Sequence, residues 1–255
     1  MSTYAILFTL IQSMLMGPVQ PAVKIIVDNI EQSRYPVRRK VPMAMIRFIE
    51  YEFDLHEGSV DDIVYVARRV KPNVSPILLA SILLRESYGG DPGTVRYCVK
   101  WKKTTKNGKT KWKCPEQYSC KGCWGKGHKN KKTGKFYSAA FLRKEGIDLG
   151  RWQLRHNPHG WSWLRFYGKK IGKKVSIDCA FDRKCARRAM IEAVNDLDKT
   201  RARKCRKPRF IDEAQWIGGW NRCGSYAGHV ERYLKLKKKY KKWLKVYRRI
   251  KKRGK

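Results

Sequence analysis

The sequence predicts a mainly α (α+β) protein, in which a helical domain carries a Cys- and Lys-rich β-hairpin insertion and a basic C-terminal helix. Three observations predict this fold class. Apolar residues recur at helical spacing between residues 59 and 86. An Asn-Gly pair within a lysine-rich segment is typical of a two-residue hairpin turn. Apolar residues also follow one face of the lysine-rich C-terminus.

The charge of the chain is unevenly distributed. The 255 residues carry a formal net charge of +38, and residues 1–65 hold only 6 of the 59 basic residues but 8 of the 21 acidic ones. A hydrophobic content of 42% with 9 Trp excludes wholesale disorder. The later part of the chain lacks an uncharged apolar run of about 20 residues, which excludes a multi-pass membrane protein. We therefore expect a folded protein with an anionic partner: nucleic acid, a lipid surface or an envelope polymer.

Residues 1–22 are expected to form an export signal or loose anchor, or else an ordinary buried helix. Residues 4–16 are an apolar run of about signal-peptide length, and Ala22 is small enough for a cleavage site. No positive segment precedes this run, and two prolines after it disfavour a spanning helix. The further boundaries predicted are a helical segment at 23–58, a main domain at 59–246 with an insertion at 95–138, and a basic tail at 247–255.

Two consecutive helices are predicted at the start of the main domain. Ser59 would cap the first, because two acids follow it in the first turn, where the helix dipole favours negative charge. Ser75 would cap the second, with Pro76 at its first position. The second helix is apolar nearly all round, so we expect it to be buried, and it ends at Glu86 before two glycines.

Glu86 is the candidate general acid. A carboxyl group held against apolar walls has a raised pKa, because desolvation penalises its charged form. A raised pKa suits the acid that cleaves a glycosidic bond. The alternative is structural, with Glu86 paired to Arg85 or to another of the many cations.

This helix and two later segments resemble one family. Residues 73–87 (NVSPILLASILLRES) are similar to the catalytic helix of lytic transglycosylases and goose-type lysozymes, which ends in Glu-Ser. Residues 150–153 (GRWQ) resemble the Gly-x-x-Gln turn of that family. Residues 220–226 (WNRCGSY) resemble its aromatic-Asn-x-x-Gly segment followed by tyrosine. The resemblance implies a lysozyme-like fold over about residues 59–246.

The resemblance also implies which residues act. Glu86 would protonate the oxygen between N-acetylmuramic acid and N-acetylglucosamine, and then take the proton of the muramoyl 6-hydroxyl as a 1,6-anhydro ring closes. A second carboxylate that positions water would instead give hydrolysis, as in a lysozyme, and Asp91 or Asp148 could supply it. Trp152 and Trp220 could stack on sugar rings or belong to the core. The other implied substrate-binding or positioning residues are Ser87, Gln153, Asn221 and Tyr226.

The eight cysteines leave two interpretations open. Their even number fits disulfides in an exported protein, and Cys179 and Cys185 could bridge locally. Cys205 and Cys223 would pair by exclusion only. The implied chemistry requires no cofactor, but a structural zinc site is possible, with the ligands Cys114, Cys120, Cys123 and His128.

The hairpin region and the tail are the cationic elements. Asn107-Gly108 predicts a hairpin over residues 99–114, and Thr133-Gly134 a second hairpin that ends at Tyr137. Three tryptophans, Trp101, Trp112 and Trp124, lie among the lysines of this region. In the tail, apolar residues share one helical face, which is typical of a helix on an anionic membrane; alternatively, the first half of this helix packs on the fold.

The leading functional hypothesis is a peptidoglycan lytic transglycosylase, or a lysozyme-type hydrolase of the same bond. Its cationic elements would bind anionic envelope polymers or a membrane surface. It would act in the cell envelope, periplasmic or secreted, or as a phage-released lysin or part of a phage particle. A nucleic-acid-binding protein with a zinc hairpin is the alternative from another class; a catalytically inactive wall-binding module is the third.

Overall fold

The computed structural model describes residues 34–72, 74–106, 109–159, 162–196 and 227–253. The chain divides into one compact unit at residues 1–38 and another at residues 39–255, and the helices and strands below belong to the second. The predicted leader at 1–22 lies outside the described residues, as do Trp220, Asn221, Tyr226, Cys205 and Cys223.

The second unit combines helices with an antiparallel sheet. The helices are α1 (Met43–Glu52), α2 (Ser59–Arg69), α3 (Pro76–Glu86), α4 (Ala139–Glu145), α5 (Trp163–Ile171), α6 (Arg183–Asp196) and α7 (Ala227–Arg253), with a 3-10 turn at Ile177–Ala180. The strands are β1 (Val95–Lys106), β2 (Lys109–Cys120), β3 (His128–Lys129), β4 (Phe136–Tyr137), β5 (Gly146–Leu149) and β6 (Leu154–Arg155). One sheet has the order β2-β1-β5-β6, and β3 pairs with β4 in a separate sheet.

The prediction of a mainly helical, lysozyme-like domain with an inserted hairpin is wrong, because the fold is α+β around a four-stranded sheet. The predicted hairpin exists, but β1 begins earlier, at Val95, which lies opposite both Cys120 of β2 and Leu149 of β5. The hairpin is therefore half of the central sheet. The sequence hides this arrangement because β5 and β6 have four and two residues, too few for a recognisable alternation.

Helix α3 confirms the predicted buried helix. The Ser75 hydroxyl accepts a hydrogen bond from the backbone N–H of Ile77 at 3.2 Å, Pro76 opens the helix, and Glu86 is its last residue. The start of α2 differs from the prediction. Ser59 lies within that helix rather than at its cap, and its hydroxyl donates to the carbonyl oxygen of Gly89 at 3.2 Å. Ser59 therefore holds the turn that follows Glu86.

Helix α7 packs on α1 along part of its length. The buried ring of Phe48 lies 5.1 Å from the ring of Tyr240 and 5.8 Å from that of Trp243, between centroids. The Nζ of Lys239 lies 2.7 Å from a carboxylate oxygen of Glu52. Beyond Tyr247 the helix is exposed as far as residue 252. Within the described ranges, none of the helices has the length and apolar character needed to span a membrane.

The cysteines of the described residues form three disulfides, Cys98–Cys114, Cys120–Cys123 and Cys179–Cys185. The local bridge between Cys179 and Cys185 was predicted and is confirmed. The predicted zinc set does not form, because its three thiols are in disulfides, and the described part of the chain holds no other group of potential metal ligands. Disulfides indicate an oxidising environment.

We expect a reductant, and not a chelator, to destabilise the protein. The Cys98–Cys114 bridge spans a sequence separation of 16, and closing such a loop contributes about 3 kcal/mol. Thermal unfolding followed by circular dichroism should shift to lower temperature in dithiothreitol and stay unchanged in EDTA. Peptide mass mapping without reductant should recover the three pairs. A lower Tm in EDTA alone would contradict the disulfide assignment and indicate a bound metal.

Candidate functional site

Glu86 lies where α3 meets the sheet. Its side chain is 16% exposed, so the carboxylate is largely buried but still reachable from solvent. Its Oε2 accepts a hydrogen bond at 3.3 Å from Nη2 of Arg96, which belongs to β1. The raised-pKa hypothesis assumed that Glu86 is surrounded by apolar side chains. The contact with Arg96 shows that these surroundings are not purely apolar. The cation partner that the structural alternative required is supplied by Arg96.

Arg96 also binds Asp148, so two of the candidate carboxyl groups share one guanidinium group. Arg96 and Asp148 lie opposite each other on β1 and β5, with Nη1 and Oδ2 3.1 Å apart. Arg155 of β6 lies opposite Asp148 on the other side and donates from Nε to Oδ1 at 2.8 Å. Burial raises the pKa of Asp148, and the guanidinium groups of Arg155 and Arg96 partly offset this effect. The network joins α3 to three strands.

Two other predicted site residues have structural roles in the turn after α3. The Ser87 hydroxyl is buried and donates to the carbonyl oxygen of Leu83 at 3.0 Å, which closes the end of the helix. The Asp91 carboxylate is also buried, and its Oδ1 accepts a hydrogen bond from the backbone N–H of Gly93 at 2.7 Å. Neither side chain is available to a substrate, but together they fix the backbone that carries Glu86.

The turn at residues 150–153 is part of the core. Trp152 is almost completely buried, so the core interpretation of this residue applies and stacking on a sugar does not. Gln153 has a φ of 46°, and its amide nitrogen donates to the carbonyl oxygens of Gly150 at 2.9 Å and Thr94 at 3.3 Å. Gln153 therefore holds the turn two residues before Arg155.

Gly150→Ala should destabilise this turn more than the same change at a control glycine. Gly150 has a φ of +67°, and a Cβ there would overlap the carbonyl oxygen of Ala180. Gly172 has a similar φ of +72° but open space around it, so alanine there should cost only the left-handed backbone penalty of about 1–2 kcal/mol. The clash should add at least about 1 kcal/mol at Gly150. Urea unfolding of both variants checks this, and equal costs would contradict the close approach.

A groove of about 580 Å³ lies beside the carboxylate network. Arg155 lines this groove while binding Asp148, so the two features are contiguous. The Trp112 ring stacks on the His159 ring with centroids 4.5 Å apart and an interplanar angle of 22°. The Trp101 indole N–H donates to a carboxylate oxygen of Glu145 at 2.6 Å. The groove is thus an aromatic and cationic surface, and the ion pairs of Arg155, Asp148 and Arg96 link it to Glu86.

Sequence reasoning missed Arg96 and Arg155. Both bind Asp148 across neighbouring strands, and the strand register that brings them together is not visible in the sequence. The fourth predicted zinc ligand, His128, packs its ring edge-on to that of Tyr97, with centroids 6.0 Å apart. Burial lowers the pKa of His128. This histidine is therefore a packed residue of the small sheet.

Comparison with known proteins gives no match: no family model, no curated protein and no solved structure matches the chain. The functional assignment therefore depends on the arrangement of Glu86, its guanidinium partner and the adjoining groove.

Proposed function

We propose that the protein is a lytic transglycosylase, which cleaves the bond between N-acetylmuramic acid and N-acetylglucosamine in peptidoglycan with Glu86 as its acid/base. The position of Glu86 carries this proposal. It is the last residue of a buried helix, it contacts Arg96 of the sheet, and it stays partly exposed. The ion pairs of Arg96, Asp148 and Arg155 link it to an aromatic and cationic groove. The resemblance of residues 73–87 to a transglycosylase catalytic helix supports the same role.

The burial of Asp91 and Asp148 favours transglycosylation over hydrolysis. A hydrolase needs a second carboxylate that can reach a water molecule or the sugar. Asp91 and Asp148 are both buried, and their oxygens already accept hydrogen bonds from Gly93 and from the two arginines. Neither of these two candidate carboxylates is free to position a water molecule. We assign the role of nucleophile to the muramoyl 6-hydroxyl.

The proposed reaction needs one carboxyl group in two protonation states. Glu86 in its neutral form donates a proton to the glycosidic oxygen as the bond from that oxygen to the anomeric carbon breaks. Ionised Glu86 then accepts the proton of the 6-hydroxyl while O6 bonds to the anomeric carbon. The Arg96 guanidinium group contacts the Glu86 carboxylate, and it retains Asp148 as an ionic partner in the step in which Glu86 is neutral.

Digestion of purified peptidoglycan, followed by mass spectrometry of the released muropeptides, tests this proposal. We expect 1,6-anhydromuramoyl products, which are lighter by one water than the products of hydrolysis. Reducing ends would contradict the single-carboxyl mechanism and indicate a lysozyme-type hydrolase. An unchanged sacculus would contradict glycan cleavage altogether.

The other functional hypothesis, a zinc-hairpin nucleic-acid-binding protein, loses its zinc site because Cys114, Cys120 and Cys123 are in disulfides. The net charge of +38 that motivated it is equally suited to anionic envelope polymers or a membrane surface. The proposed site of action is therefore the cell envelope, whether the protein is exported or released as a phage lysin. The disulfides fit the oxidising part of that setting.

A further inference from the structure

We infer that the groove on the hairpin face is a binding subsite for an anionic glycan, which holds a carboxylate-bearing part of the strand beside Glu86. This inference rests on the proposed function, because it identifies the polymer that would extend from the cleavage site. The volume of about 580 Å³ falls within the range of about 300–1,000 Å³ that is typical of ligand pockets. Its principal side chains are those of Trp101, Lys102, Trp112, Lys113 and Arg155.

An irregularity in the hairpin places aromatic and cationic groups in the groove together. The register of β1 against β2 shifts between Lys100 and Lys102, and such a bulge changes the direction of a side chain. Trp101 and Lys102 therefore both line the groove, although they are neighbours in sequence. Trp112 is 37% exposed, which is high for so large an apolar ring. A sugar ring packed on it would bury that apolar surface.

The groove also contains an unfavourable pair of like charges. Lys102 and Lys113 lie directly opposite each other on β1 and β2. Like charges in this position destabilise a sheet. Within the described residues, neither lysine has an acidic partner within ion-pair distance. A carboxylate bound between the two ammonium groups would relieve their repulsion, so the pair fits an anionic ligand.

Arg155 makes the groove continuous with the proposed cleavage site. Arg155 lines the groove, its guanidinium group binds Asp148, and Asp148 shares Arg96 with Glu86. Only Asp148 and Arg96 separate Arg155 from Glu86 in this series of ion pairs. This link favours a glycan strand over a nucleic acid as the ligand, because the polymer in the groove would then be the same polymer that Glu86 cleaves.

Binding can be measured without cleavage in a Glu86→Gln background. In that background, Trp112→Ala with Lys113→Gln removes one aromatic ring and one charge from the groove. The matched control, Phe136→Ala with Lys135→Gln, removes the same two kinds of group from an exposed part of the small sheet. We expect the groove variant to bind soluble, uncrosslinked peptidoglycan strands about tenfold more weakly, and the control to bind within about twofold of its parent.

Two further measurements test whether the charge of the ligand, and not only its sugar rings, contributes to binding. An uncharged N-acetylglucosamine tetramer should bind more weakly than the peptidoglycan strands, and only the binding of the charged strands should fall steeply with salt. Lys113→Gln alone, which removes no packed ring, should also weaken strand binding, so the inference stays testable if the double variant does not fold. Thermal unfolding of each variant identifies such a failure.

Equal strand binding by the groove variant and its control would overturn the inference. Tighter binding of a single-stranded oligothymidylate than of the glycan, lost in the groove variant, would also overturn it and identify a nucleic-acid site. The same measurements distinguish a failure of the proposed function from a failure of the proposed subsite. If the parent variant binds strands through the groove but the wild-type protein cleaves none, the proposed activity is wrong and the subsite stands. If the wild type cleaves but groove substitutions leave binding unchanged, only the subsite is wrong.

Discussion

Glu86→Gln is expected to reduce the rate of peptidoglycan solubilisation by about 10²–10⁴-fold, the usual contribution of a general acid/base. Glutamine keeps the size of the side chain and its ability to accept a hydrogen bond from Arg96, but it can neither donate an acidic proton nor accept one. Arg96 retains Asp148 as an ionic partner in this variant, so the sheet should stay intact. The rate of muropeptide release from purified sacculi is the measurement.

Glu50→Gln provides the matched control for this prediction. Glu50 lies on α1, where it is 41% exposed and forms an ion pair with Arg47 one helical turn away. Its loss should change neither the rate nor, by more than about 1 kcal/mol, the free energy of unfolding. If Glu86→Gln and Glu50→Gln release muropeptides at the same rate, Glu86 is not the catalytic group.

Asp62→Asn is expected to lower the free energy of unfolding by about 3–5 kcal/mol, because it removes a buried anion that pairs with three arginines. The Asp62 side chain is only 2% exposed, and it forms ion pairs with Arg151, Arg183 and Arg187. Without the charge on Asp62, the largely buried guanidinium group of Arg151 has no ionic partner among the described residues. Differential scanning calorimetry should show a Tm lower by about 6–20 °C.

The neighbouring residue is a control for the effect of burial. Asp61 also pairs with Arg183, at 3.2 Å, but its side chain is 77% exposed. Water screens such a pair, so Asp61→Asn should cost no more than about 1 kcal/mol. Equal losses of stability in the two variants would show that the buried cluster around Asp62 contributes nothing beyond a surface ion pair.

The local features of the fold could be predicted from the sequence, and the long-range ones could not. Ser75 and Pro76 fix the start of α3 through their own hydrogen bonding and backbone geometry, so both the beginning and the end of that helix follow from neighbouring residues. The same is true of the pairing of β1 with β2, which follow each other directly along the chain. The pairing of β1 with β5 depends instead on contacts across about fifty residues, and β5 is too short to show a pattern of its own.

The candidate site also has features that could be predicted from the sequence and features that could not. The position of Glu86 at the end of a buried helix follows from local sequence. Its guanidinium partner does not, because Arg96 is one of 59 basic residues and only the strand register distinguishes it. Ser87 and Gln153 were expected to contact a substrate, but short polar side chains beside tight turns also serve to bind backbone carbonyls, as both do here. Sequence alone does not separate these two uses.

The separation in sequence of the site's partners has a consequence for how the protein folds. The hairpin and α3 involve near neighbours and can form early, whereas the contact of Arg96 with Asp148 spans 52 residues and that of Arg151 with Asp62 spans 89. Contacts of such range carry a large loop-closure entropy and form late. We therefore expect the Glu86–Arg96 contact, which spans 10 residues, to form before the contact of Arg96 with Asp148. The network of Glu86, Arg96, Asp148 and Arg155 is complete only once β1, β5 and β6 have paired.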